Sequence, residues 1–338
     1  MYLDYLCPNG DGTLHLYEQS WRCNSCRSSF PITQDGIALL DSVGSAEAHA
    51  FDEQHRSYDT MDGDEIRRSV DLAARYLDLA APSDARSITN VLDVACGKGD
   101  LTIGLAMQQQ LENATIYAFD HSVVSLSALA RTAEKLGRRH HLRLSAQDAN
   151  ALLFPHAQFD LVFGNAVLHH FLDWRAFLAT AKKLLRPDGC LILSEPFVDG
   201  YSLAMIVFRM AAQISKVANK PKAPGMGHYQ FIVDDIGTRI RNRENLEVLA
   251  TLTDKHLFQV EEIARSAQKI GLNAEFVNYM QDEYYAFWIK DILQTYQITN
   301  PDFCAAAHKV FNDLFEYFGT AYPSLFSHFK FVILRPMH

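Results

Sequence analysis

The sequence predicts an α/β fold built on a doubly wound parallel sheet, and three observations carry that expectation. The apolar run Val91-Leu92-Asp93-Val94 enters the side-chain-poor turn Ala95-Cys96-Gly97-Lys98-Gly99. Asp100 to Met107 follows with helical apolar spacing, so a buried strand passes through a tight turn into a helix. That strand, glycine turn and helix form the first unit of a Rossmann-like sheet. Behind it, three more segments fall in order: Thr115 to Asp120, His141 to Ala149 and Phe159 to Phe171. Finally, 338 residues at 48% hydrophobic and 21% charged are ordinary globular material, enough for one core plus additions.

The turn also restricts its ligand. A dinucleotide site shows G-x-G-x-x-G, with the pyrophosphate on the helix N-terminus. Here only Gly97 and Gly99 are supplied, and Thr102 stands at the third position. Asp93 lies on the strand before the turn, where a carboxylate repels a pyrophosphate but suits a cationic amine. S-adenosylmethionine (SAM) carries an ammonium and a sulfonium and no phosphate, so the sign of the charge favours it.

Together with Leu184 to Pro196, which is similar to an L-x-P-x-G turn into a fifth strand, these segments resemble the class I SAM-dependent methyltransferases from roughly Ile88 to Pro196. Asp188 departs from the glycine that relatives often carry, and an aspartate tolerates a turn. The resemblance implies a seven-stranded sheet and a set of cofactor contacts. Asp93, Ala95, Gly97 and Gly99 would meet the amino-acid end of SAM. Asp120, with His121, would bind the ribose, because a carboxylate accepts two hydrogen bonds at once. Asp148 and Ala149 would lie at the adenine, and Asn165 at the methionine part. Tyr58, in the leading helical segment, is expected to close over the cofactor.

His169 and His170 stand where the fourth strand hands over to its helix, near the expected methyl group. Imidazole titrates near neutral pH, so either can serve as a general base toward an acceptor hydroxyl. Glu195, at the end of the fifth strand, is expected to orient that base or bind substrate. Enzymes that methylate nucleobase amines carry an Asn/Asp-Pro-Pro-aromatic tetrad after the fourth strand, and this chain has Gly164-Asn165-Ala166-Val167 instead. A net charge of −9 also lacks the clustered cations that track phosphates, so nucleic acid is not expected as a partner. The leading expectation is methyl transfer from SAM to a small-molecule acceptor, through oxygen, in biosynthetic or secondary metabolism. An RNA methyltransferase, and a non-catalytic SAM-binding scaffold with a docking ribbon, are its rivals.

The flanks divide around this core (86–200). Residues 1–41 resemble small zinc ribbons fused to, or partnering with, methyltransferases: Cys23-Asn24-Ser25-Cys26 is a CxxC knuckle, and Cys7-Pro8-Asn9-Gly10 is similar to a second knuckle whose last cysteine has become glycine. A structural zinc needs four ligands. Cys7, Cys23 and Cys26 supply three, so either His15 completes the set or the ribbon folds without metal. Helical cover is expected over 42–85, with helices at 46–58 and 66–79. A helical lid follows at 201–254, then a core continuation at 255–280 with a helix from Asp254 to Ala264 and a strand at 274–277. A second helical insertion at 281–327 is rich in aromatic residues, and the last strand lies within 328–338. The lid aromatics either pack on each other or line a pocket for an apolar acceptor. The 202–217 helix offers a homodimer contact. Neither a signal segment nor a stretch long enough to span a bilayer is evident, and six cysteines suit a reducing compartment, so a cytoplasmic location is expected.

Overall fold

The computed structural model describes residues 4–10, 12–40, 59–80, 88–217, 223–279, 289–290, 292–294, 296–318 and 327–337. The N-terminal segment forms a four-stranded antiparallel sheet of β1 (Tyr5–Leu6), β2 (Thr13–Tyr17), β3 (Ser20–Cys23) and β4 (Ser29–Pro31). It is packed onto the main body and not held apart. The Tyr5 ring lies 4.9 Å from Trp21 and 5.4 Å from Phe154, and the Leu6 N–H donates to the Leu153 carbonyl at 2.9 Å. The chain then departs from the expected ribbon. β5 (Ile37–Leu39) leaves it and pairs in parallel with the edge of the main sheet, Ile37 opposite Leu144 and Leu39 opposite Ala146. The sheet therefore has eight strands where seven were expected. Ile37, Ala38 and Leu40 are buried there, so the apolar tail of the ribbon covers an otherwise open edge.

After α1 (Gly63–Ala80), the core alternates strand and helix: β6 (Asn90–Val94), α2 (Asp100–Ala106), β7 (Thr115–Asp120), α3 (Val123–Lys135), β8 (Leu142–Ala146), β9 (Phe159–Asn165), α4 (Trp174–Leu184) and β10 (Leu185–Pro196). The sheet closes through α8 (Val260–Lys269), β11 (Leu272–Asn278) and β12 (Phe329–Pro336), in the order β11-β12-β10-β9-β6-β7-β8-β5. β6 to β10 run parallel, whereas β12 is antiparallel to both β10 and β11. Both faces are covered, which is why these strands read as nearly continuous apolar runs. Phe119, Phe159, Trp174 and Phe177 fill one side, and Tyr76, Ile116, Phe163 and Phe331 the other.

The helices begin where side chains can satisfy their first N–H groups. At α1, Asp62 and Glu65 form a reciprocal capping box, each carboxylate accepting from the other's backbone N–H at 2.8–2.9 Å. Ser122 caps α3 and Asp173 caps α4 through single contacts of 3.0 Å. The α1 and α2 backbones approach so closely that a Cβ on Gly104 would stand 2.0 Å from the Ser69 carbonyl oxygen. Only glycine fits there.

The lid comprises α5 (Val198–Ile214), α6 (Tyr229–Arg241), α7 (Leu246–Ala250) and, later in the chain, α9 (Pro301–Phe318). It has its own core. Phe208 and Phe303 meet at 5.6 Å, Tyr229 and Phe303 at 5.3 Å, and Phe311 is buried beside them. These aromatics pack on each other. Tyr317 is exposed, and Tyr284, Tyr285, Phe287, Trp288 and the 46–58 helix lie outside the described residues. Ile206, Met210 and Ile214 stand exposed at four-residue spacing along α5. The helix expected over 254–264 starts only at Val260. Residues 254–259 are not helical, because the Lys255 and Phe258 N–H groups donate to the carbonyls of His169 and Pro196. No helix among the described residues is long and apolar enough to cross a membrane.

Candidate functional site

Two sites line the carboxyl ends of the central strands, where an open α/β sheet places its ligands. The first is the turn after β6. Ala95, Gly97 and Gly99 all take left-handed φ angles, of 48°, 54° and 92°. At Gly97 a Cβ would meet nothing within 4 Å, so the turn faces open space that a ligand can enter. A cavity of about 130 Å³ lies against it, lined by Asp93, Ala95, Gly97, Lys98, Asp100 and Asn165.

Asp93 is 1% exposed, and its Oδ2 accepts from the Thr102 hydroxyl at 2.5 Å. Burial, reinforced by the Asp120 carboxylate, pushes its pKa up to about 7. A bound cation at this carboxylate would relieve that penalty, whereas a phosphate would deepen it. Asp120 accepts from the Gly97 N–H at 2.8 Å and the Ser122 N–H at 2.9 Å, so the expected ribose ligand also braces the glycine turn. His121 and Asp148 are exposed and Ala149 is half-buried. The Oδ1 of Asp148 accepts from the N–H and side-chain amide of Asn150, both at 2.8 Å, and thereby closes its own loop. Tyr58 lies outside the described residues.

Sequence reasoning missed three supports of this site. Tyr76, on α1, is fully buried and donates its hydroxyl to the Gly164 carbonyl at 3.0 Å, with Asn165 Oδ1 at 3.3 Å. Thr102 holds Asp93. Glu65 ties α1 to the turn through Lys98 at 2.5 Å. Only the position of Thr102 in the third-glycine slot carried a signal.

The second site follows β9, where Ala166 again takes a left-handed φ of 57°. Glu195, on the neighbouring β10, is completely buried. Its Oε1 accepts from the N–H groups of Val167 and Leu168 at 3.0 and 2.7 Å, and its Oε2 from the N–H of His169 at 3.2 Å. The same Oε2 lies 2.8 Å from His169 Nδ1. Glu195 therefore caps the turn and faces the imidazole of His169. His170 stacks on His169 with ring centroids 4.1 Å apart, and its Nδ1 lies 3.1 Å from the Thr253 carbonyl. Burial and the neighbouring His169 lower its pKa, so His170 is neutral at pH 7. Asp254, absent from the expected set, completes the group: its Oδ1 stands 3.8 Å from His169 Nε2 and 3.5 Å from His170 Nδ1.

In the ribbon, Cys7, Cys23 and Cys26 bring their sulfurs within 4.8 Å of one another. Cys23 Sγ accepts from the N–H groups of Ser25 and Cys26, both at 3.4 Å. Hydrogen bonding with Ser28 lowers the Cys26 thiol to about 7, while burial raises Cys7 to about 11. His15 is not brought to them. Its ring faces Asp4 at 3.3 Å and Thr13 Oγ1 at 3.4 Å, because alternation along β2 turns it away from the knuckles.

Residues 85–269 match the family model described as "Methyltransferase domain". The ubiquinone biosynthesis O-methyltransferase of Dinoroseobacter shibae is 32% identical over 145 residues, 43% of this chain and 55% of that protein. A demethylmenaquinone methyltransferase from Deinococcus radiodurans is 34% identical over 135 residues, 40% of this chain and 54% of that one. The chain spans about half the length of these curated relatives. Among solved structures, a geranyl diphosphate methyltransferase in complex with SAM superposes with a TM-score of 0.47 at 15% identity, covering 82% of this chain and 91% of that one.

Proposed function

Since the chain belongs to the methyltransferase-domain family, we propose that it transfers a methyl group from SAM to the hydroxyl oxygen of a small molecule in biosynthetic or secondary metabolism. The observation that carries this reading is the buried carboxylate of Asp93 beside an open glycine turn, a site suited to a phosphate-free cation. The quinone-methylating names of the two relatives support a small-molecule acceptor.

SAM, when bound, supplies a methyl group on a sulfonium, which an oxygen lone pair displaces in line. The chain's task is to hold donor and acceptor together and exclude water, which can contribute about 7–11 kcal/mol. Asp93 holds the amino-acid end, Gly97 and Gly99 allow close approach, and Asn165, fixed by Tyr76, lines the methionine part. Asp120 and His121 take the ribose, and Asp148 and Ala149 the adenine side. His169 and His170, with Glu195 behind them, activate the acceptor hydroxyl.

The test is labelled SAM incubated with the protein and a fractionated metabolite extract, the product being identified by mass spectrometry. A labelled small molecule is expected. The variant His169→Ala should lower kcat roughly 10²–10⁴-fold with an unchanged calorimetric Kd for SAM. Absence of any SAM binding overturns the reading.

For the ribbon, we propose that Cys7, Cys23 and Cys26 hold a zinc ion, three ligands where a closed structural site has four. Three converging sulfurs with N–H donors on Cys23 support this. Mass spectrometry of the intact protein should find one zinc, absent from Cys23→Ser and retained in His15→Ala. A homodimer formed through the 202–217 helix would use the exposed Ile206, Met210 and Ile214.

A further inference from the structure

His169, His170 and Asp254 each offer a ligand atom within 4.8 Å of the others, on elements far apart in sequence. We propose that these three residues bind a divalent first-row transition-metal cation, with the Thr253 carbonyl as a fourth donor. The inference rests on the acceptor site described above and deepens it.

Spacing is the first argument. Ligands held at roughly 2.0–2.2 Å from one ion lie about 3.0–3.5 Å apart when adjacent. Asp254 Oδ1 is 3.5 Å from His170 Nδ1 and 3.8 Å from His169 Nε2. The Thr253 oxygen is 3.1 Å from the same His170 nitrogen. That last contact is a hydrogen bond while the ring carries its proton there. It becomes a pair of adjacent ligands once the ring's proton sits on Nε2 and a cation takes its place at Nδ1. Closing the remaining few tenths of an ångström falls to Asp254, whose side chain is 45% exposed.

The surroundings supply the second argument. Metal-bound imidazoles usually donate their other N–H to a carboxylate, and bound carboxylates have partners of their own. Glu195, fully buried, faces His169 Nδ1 at 2.8 Å and leaves Nε2 directed at Asp254. His169 thus stands between two carboxylates while itself 7% exposed, an arrangement that calls for positive charge at Nε2. Arg239 from α6 approaches the other oxygen of Asp254 at 4.0 Å and is paired with Asp235 at 2.5 Å. The next cation along the chain, Lys255, points its ammonium at the Leu252 carbonyl. Two imidazoles, a carboxylate and a carbonyl suit manganese, iron, cobalt or zinc better than magnesium or calcium.

A cation here would coordinate the acceptor hydroxyl and lower its pKa. The hydroxyl proton leaves to solvent, the oxygen forms its bond to the methyl carbon, and the carbon–sulfur bond breaks with its electron pair retained by sulfur. No oxidant or reductant enters.

The experiment is a calorimetric titration of the full chain with Mn²⁺ at neutral pH, without SAM or acceptor. Mn²⁺ avoids the cysteine cluster, which favours softer ions. One equivalent should bind, equally in the Cys7→Ser/Cys23→Ser variant. Asp254→Asn and His170→Gln should each weaken it at least tenfold while leaving the Kd for SAM unchanged, which also reports that the variants are folded. Intact SAM binding with no bound Mn²⁺, or Mn²⁺ affinity indifferent to both substitutions, overturns the metal site and leaves methyl transfer standing. Failure to bind SAM instead strikes the reading beneath it.

Discussion

Asp93→Asn is expected to weaken SAM binding by roughly a hundredfold or more while making the cofactor-free protein more stable at pH 8. Removing one partner of a buried, hydrogen-bonded charge pair costs about 2–5 kcal/mol of binding. The stability effect has the opposite sign. Burial raises the Asp93 carboxyl to about 7 from an ordinary value near 3.8, so the folded state holds the proton more tightly than the unfolded chain. The contribution is fully present below the unfolded pKa and is lost as pH climbs through about 7. At pH 8 the ionised carboxylate therefore costs about 4 kcal/mol, to order of magnitude. Asparagine removes that cost. Urea unfolding should find the variant's advantage at pH 8 shrinking toward pH 5. Calorimetry on the wild type should find SAM affinity falling below about pH 7, as the carboxylate takes up its proton, and the variant's weaker affinity nearly flat. A variant that binds SAM as tightly as the wild type would remove Asp93 from the cofactor site.

The second large effect is expected at Glu195. Its two oxygens receive three backbone N–H groups and face His169 Nδ1, with no exposure to water. In Glu195→Gln one oxygen becomes an NH₂ group directed at donors, so at least one buried N–H loses its acceptor. A loss of about 3–5 kcal/mol in unfolding free energy should follow, as when one partner of a buried pair is removed. Methyl transfer should fall beyond what partial unfolding explains, because His169 loses the partner that sets its tautomer. Measuring kcat well below the denaturation midpoint separates the two. An unchanged melting temperature would contradict the fourfold acceptor role of this side chain.

What was legible in the sequence is what lies contiguous along the chain. Val91 to Gly99 announces a strand and a turn because all its parts sit within ten positions, and Asp93 and Gly97 line one cavity. Contacts made by distant segments left no such trace. Tyr76 reaches Gly164 across 88 residues, and Thr253 reaches His170 across 83. The family resemblance places a helix from Asp254 to Ala264. The backbone instead spends its first N–H groups on His169 and Pro196, and that detour delivers Asp254 to the histidines. Ile37 to Leu39 read as the tail of the ribbon, since a three-residue parallel pairing has no periodicity to reveal it.

That short pairing makes the first forty residues poor candidates for deletion. Trimming the chain to the span matched by the family would strip hydrogen bonds from the rim of the sheet and leave Leu144 and Ala146 without their neighbour, an invitation to self-association. The Leu40 N–H also donates to the Ala146 carbonyl at 3.0 Å, two positions before Asp148. The leading module is thus fastened to the main sheet directly ahead of the loop that Asp148 closes on Asn150, so cutting the chain before Leu40 would also free the start of that loop.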